Sequence, residues 1–139
     1  MKKLLLIFVL FIGLISCGKV KNDASAESTE NDRVEVVYFH GKQRCLTCRA
    51  IERFAKETVD SCFANDESVG FRNVDITTPE GEQFADTFEI AGSSLLIIET
   101  NNGRKTYEDM TGFAFKNARK NPDVFKKGIE TKVKEFLND

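Results

Sequence analysis

Cys45 and Cys48 stand three apart at the seam between two patterns that cannot belong to one element. Before them, Val34 to Phe39 is a run of β-branched and aromatic residues, the composition of a buried strand. After them, Leu46, Ala50, Ile51, Phe54, Ala55, Val59, Cys62 and Phe63 recur at steps of three and four, which describes one face of a helix. The loop His40 to Arg44 leads from the strand to the first cysteine. Two thiols at a strand-to-helix joint admit three readings: a redox pair, half of a metal site, or two core thiols. Cys62 lies on the same apolar face but about 21 Å further along the helix, too far to pair with either. It is expected to be a buried core thiol, with a free reactive thiol as the alternative.

The remaining pattern continues the alternation. Val69 to Ile76 reads as a second strand. Thr78-Pro79 offers a helix cap followed by proline at the first helical position, and Phe84, Ala85 and Phe88 give that helix an apolar face. Ser94 to Glu99 is a third strand, buried on both sides. Asn102-Gly103 marks a tight turn, so Lys105 to Met110 should return antiparallel as a fourth. Phe113 to Arg119 is expected to form a turn or short helix. Asn121-Pro122 then starts a last helix with Phe125, Ile129, Val133, Phe136 and Leu137 inward. A strand–helix–strand opening implies a parallel pair with a right-handed crossover, and the hairpin adds an antiparallel edge.

The chain of 139 residues has length for one domain, and its N-terminus is not part of that domain. Lys2 and Lys3 precede an apolar run, Leu4 to Ile15, shorter than the ~18 residues of a membrane span. The run ends in Leu14-Ile15-Ser16-Cys17-Gly18, which resembles a bacterial lipobox, where the signal is cut before the cysteine and the thiol is acylated. Residues 1–16 are therefore expected to be a lipoprotein signal peptide. Residues 17–32 would be the lipidated Cys17 with a polar tether too poor in apolar side chains to bury a core, and 33–139 the folded domain. Acyl chains would hold the protein at a bilayer. The absence of an acidic cue after Cys17 favours the outer membrane, facing the periplasm or the cell surface. The formal charge of −2 falls further when the signal lysines are lost, and no basic stripe stands out, so nucleic acid is not an expected partner.

Element order and cysteine spacing together resemble the thioredoxin-like superfamily, in which a CxxC opens the helix after a buried strand. The resemblance implies an α/β fold with a glutaredoxin-sized βαβαββα core, a four-stranded mixed sheet flanked by helices. More narrowly, "YFHGKQRCLTCRAIE", "IAGSSLLII" and "TGFAFKNARKNP" are similar to small bacterial lipoproteins grouped as the nitrophenyl compound nitroreductase subunit ArsF family. That grouping implies a link to reduction of nitroaromatic or arsenical compounds. The resemblance also marks two departures. Ser94 occupies the place of a cis-proline, and a trans peptide is expected there because a non-proline cis bond costs ~2.5–4 kcal/mol. No carboxylate stands where thioredoxins bury one beneath the CxxC, since Glu35 lies too far back. Gly112 is expected to let the last loop pass close to the CxxC, and Phe113 and Phe115 to offer an apolar rim or core packing.

The spacing suits thiol chemistry. A cysteine at a helix start meets orphan N–H groups and the positive end of the helix dipole, which favour thiolate. Arg44, Arg49 and Lys42 are expected to add cations, and His40, the only histidine, either leans toward Cys45 or is a locally bonded loop residue. The leading expectation is an exported thiol–disulfide oxidoreductase with Cys45 as nucleophile and Cys48 resolving. It would take electrons from a membrane donor and pass them to a periplasmic or surface partner. The alternatives are a dithiol that captures a soft metal or trivalent arsenical, and a redox-inert subunit of a larger complex. No cofactor is called for. Zinc would want further ligands, and only His40 and Cys62 are at hand.

Overall fold

A computed structural model describes residues 33–138. The signal, Cys17 and the tether lie outside the described residues. In chain order the elements are β1 (Arg33–His40), α1 (Leu46–Cys62), β2 (Val69–Asp75), α2 (Pro79–Asp86), β3 (Ser94–Asn101), β4 (Arg104–Asp109), α3 (Thr111–Asn117) and α4 (Pro122–Leu137). The stretch expected as a turn or short helix is thus a helix, α3.

The four strands form one sheet in the order β2-β1-β3-β4. β1 runs parallel to β2 and antiparallel to β3, and β3 pairs antiparallel with β4. Strand period dictates which layer each side chain joins. Val34, Val36 and Tyr38 of β1, with Leu95 and Ile97 of β3, face α1, α3 and α4. Val37 and Phe39, with Leu96 and Ile98, face the opposite side, where α2 contributes Ala85. The sheet is therefore covered by three helices on one face and one on the other, a thioredoxin-like arrangement.

Local signals account for the joints. Asn102 and Gly103 both have positive φ (49° and 76°), the backbone of a tight hairpin turn. Thr78 caps α2 by accepting the Gly81 N–H at 3.1 Å. A side chain at Gly81 would meet the Asp75 carbonyl at 1.9 Å, so the start of α2 sits directly on the end of β2. The Asp75 carboxylate accepts from the Thr77 N–H and hydroxyl (2.9 and 2.7 Å), and these bonds hold its pKa below the usual value. β4 is exposed along its length and leaves an open sheet edge bearing Arg104 and Lys105, charges of the kind that discourage edge pairing.

Three expectations need correction here. Cys62 is exposed, not buried. The inward stripe of α1 is Cys48, Ile51, Ala55, Thr58 and Val59; the helix then ends at Cys62, and its C-cap, Phe63, takes the inward place at 8% exposure. Gly112 makes no close approach, since a Cβ there would meet nothing within 4 Å. Leu137 is exposed rather than inward, because it closes the last turn of α4. Phe113 stacks on Phe125 and fills the space above Gly128, whereas Phe115 is exposed.

Candidate functional site

The site is the joint between β1 and α1. Cys45 is the N-cap of α1, with extended backbone (φ −71°, ψ 168°), and its carbonyl accepts the Arg49 N–H at 3.1 Å. Its Sγ accepts the N–H of Cys48 at 3.0 Å, so one of the orphan donors of the helix points at this sulfur. Cys45 and Cys48 are joined in a disulfide, their Cα atoms 5.0 Å apart, within the span such a bond needs. Their surroundings differ. Cys45 is exposed, while Cys48 is 6% exposed and belongs to the core cluster with Ile51 and Tyr38. An outer sulfur that a partner can reach and an inner one that it cannot is the geometry of attack followed by resolution.

The charged residues around the pair divide into committed and free. Arg44 is ion-paired with Glu52, and Glu52 also accepts from the Asn73 amide at 2.7 Å. Through Glu52 the guanidinium ties the loop before Cys45 to α1 and β2, so this expected cation is one member of an ion pair. Arg49 is exposed one turn past Cys45 and takes part in no ion pair among the described residues. Lys42 is exposed, and its electrostatic influence falls on Asp75.

His40 ends β1 in register with Asp75. Its Nδ1 lies 3.1 Å from the Gly41 carbonyl and its ring 6.0 Å from that of Tyr38; it makes no contact of hydrogen-bond length with either sulfur. Its side chain is bonded locally, at the end of β1 and not in the loop. Ser94 opens β3 opposite Phe39, and its hydroxyl is 3.3 Å from the Gly92 carbonyl. No cis peptide occurs among the described residues, so the Ser94 bond is trans. Glu35 is held by Arg33 and Arg72 (3.4 and 3.7 Å) at the far end of β1. Among the described residues, no group of three His, Cys, Asp or Glu side chains gathers as a metal site.

One polar group beside the pair is not evident from the pattern. Tyr38 is wholly buried in the same cluster as Cys48, and its hydroxyl has no hydrogen-bond partner at bonding distance among the described residues. Burial raises the phenol above its ordinary pKa, against smaller downward pulls from the Ser93 hydroxyl and the Arg44 guanidinium. A tyrosine between Val37 and Phe39 in the buried half of β1 is its trace in the sequence, because buried tyrosine hydroxyls normally find a partner.

No family model and no curated protein matches the chain. Solved structures similar to it include a thioredoxin from Thermus thermophilus, 20% identical with a TM-score of 0.49, covering 73% of this chain and 75% of that one. Chloroplastic thioredoxin z is 17% identical with a TM-score of 0.40, covering 63% of this chain and 82% of that one. A protein described as malarial is 20% identical with a TM-score of 0.40, covering 68% and 96%. The sheet order, the register and the capping cysteine of a CxxC define the class on their own: a thioredoxin-like fold that carries a CxxC disulfide at the start of its first helix.

Proposed function

We propose that the protein is an exported, lipid-anchored thiol–disulfide oxidoreductase. The observation that carries this reading is the exposed Cys45 Sγ at the N-cap of α1, accepting the Cys48 N–H while bonded to a buried Cys48. In the reduced protein, the N–H and the helix dipole favour the Cys45 thiolate. That thiolate attacks one sulfur of a partner disulfide, forming a mixed disulfide and releasing the other partner sulfur as thiolate. Cys48 loses its proton to solvent and attacks Cys45 Sγ. The second partner sulfur leaves, and the Cys45–Cys48 bond closes. Two electrons have passed to the partner, whose two sulfurs take up two protons. A membrane dithiol donor returns the pair to the reduced state by the same exchange in reverse.

Anchoring through an acylated Cys17, with residues 19–32 as tether, keeps the dithiol near that donor and raises its effective concentration. The bilayer is the outer membrane, with the domain in the periplasm or at the surface. The motif resemblance to the nitrophenyl compound nitroreductase subunit ArsF family supports a supply of electrons to reduction of nitroaromatic or arsenical compounds.

The test is a trapping experiment. Cys48→Ser should accumulate a covalent adduct with a model disulfide, seen as an added mass that dithiothreitol removes. Titration of the reduced wild type with arsenite, copper(I) and zinc runs beside it. Tight stoichiometric capture with neither adduct nor turnover would replace this reading with a dithiol binding module.

A further inference from the structure

A groove of about 490 Å³ opens along the first turns of α1, the helix that the disulfide begins. α1 lines it with Leu46, Arg49, Arg53 and Phe54, successive positions on one helical face, and the segment between α3 and α4 adds Arg119 and Pro122. Leu46 directly follows Cys45 in the chain and is 69% exposed, so the lining of the groove begins one residue from the outer cysteine.

Two features set this surface apart. Its lining holds three arginines and no carboxylate. Elsewhere among the described residues several cations are matched, as in Arg33–Glu35, Arg44–Glu52, Arg72–Glu35, Lys56–Asp60 and Lys126–Glu57, while Lys42, Arg104, Lys105, Lys116 and Lys120 stand singly and do not gather over one groove. Arg49, Arg53 and Arg119 enter no ion pair there. The floor is also apolar and already used by cations: the Arg53 guanidinium lies 4.3 Å from the Phe54 ring centroid and Lys126 Nζ 5.0 Å from it. Unmatched guanidinium groups over an apolar floor recognise carboxylates interspersed with apolar side chains.

We infer that this groove docks an acidic, partly apolar segment of the redox partner protein, next to the disulfide that the partner presents to Cys45. The identity of the occupant follows from charge complementarity. Three guanidinium groups without an ion pair, gathered over one apolar groove whose lining holds no carboxylate, steer an acidic partner onto it and repel a basic one. This inference takes its purpose from the oxidoreductase reading, but its test is a binding measurement that needs no thiol chemistry.

The test uses the full chain and two dye-labelled peptides without cysteine, identical except that Glu and Asp in one are Lys in the other, with Leu and Phe interspersed. Fluorescence anisotropy at low salt should show the acidic peptide binding about tenfold tighter or better, the effect of roughly three exposed charge contacts. The preference should collapse at about 0.5 M salt, where the Debye length falls to a few ångströms. It should also collapse in Arg49→Gln/Arg53→Gln/Arg119→Gln, whose folding is checked by its melting curve, and survive in Lys105→Gln on the remote β4. Equal affinity for the two peptides would overturn the inference. So would a preference that the triple variant retains, or arginine-dependent binding of phosphatidylglycerol vesicles with none of the acidic peptide. A separate assay of wild-type turnover on a small neutral disulfide reports on the oxidoreductase reading, so either can fail alone.

Discussion

The two ends of α1 each carry an exposed cysteine, and they make a natural pair of contrasts. At the N-terminal end, Cys45 Sγ receives a backbone N–H at 3.0 Å and has a second sulfur within bonding reach. At the C-terminal end, Cys62 lies 3.8 Å from the Ser61 hydroxyl and within electrostatic reach of the Lys134 ammonium, beside Asn65 and the last turn of α4, with no helix N–H aimed at it. Sequence and solvent are similar; what differs is which backbone groups the helix leaves unpaired. A helix start offers donors and a helix end offers acceptors, so the backbone solvates a sulfur anion only at the first, while Cys62 has a side-chain cation alone. The contrast teaches that exposure by itself does not make a cysteine a nucleophile in this fold.

The largest expected effect that could break this contrast is on exchange. Cys45→Ser should lower disulfide reduction by about a thousandfold or more, since the nucleophile itself is lost. Cys62→Ser should change it by less than about twofold; a large loss there would mean that the C-terminal thiol takes part. In the reduced protein, alkylation followed by peptide mass mapping at neutral pH should label Cys45 about tenfold or more faster than Cys62. Comparable labelling would remove the electrostatic account of the N-cap.

Stability should separate the inward stripe of the helix from its exposed end. Ile51 is wholly buried between the two cysteine ends, and Ile51→Ala should cost about 2–4 kcal/mol in a denaturant titration. Cys62→Ala, at an exposed position, should stay within about 0.5 kcal/mol. The smallest effect concerns the hydroxyl beneath the N-terminal end. Tyr38→Phe removes a buried polar atom that lacks a partner at bonding distance among the described residues, and should leave stability unchanged or raise it by up to about 1 kcal/mol. A loss of more than about 1 kcal/mol would show that the hydroxyl is satisfied in the folded protein.

The sheet was legible because strand period and turn chemistry are local. Val34 to Phe39 declares a central strand, Asn102-Gly103 its hairpin neighbour, and Thr78-Pro79 the entry to α2. The cap at Cys45 was legible for the same reason, since strand and helix patterns meet there. What could not be read were features made by distant segments. The apolar period of α1 runs on through Cys62, yet packing stops where the helix outlasts the core and Phe63 turns in. Leu46 and Phe54 share that period, but the outer half of the stripe faces the groove completed by Arg119 and Pro122. The Arg44–Glu52 pair spans the N-cap, a separation at which no helical rule pairs side chains before the loop conformation is known.

That same pair, together with Asn73, has a consequence for the working cycle. The segment that delivers the outer sulfur is moored to a helix and a strand by side chains that are indifferent to oxidation state. Making or breaking the sulfur–sulfur link then moves two electrons and two protons at the sulfurs, and neither the Arg44–Glu52 pair nor the Asn73 bond contains a group that this change alters.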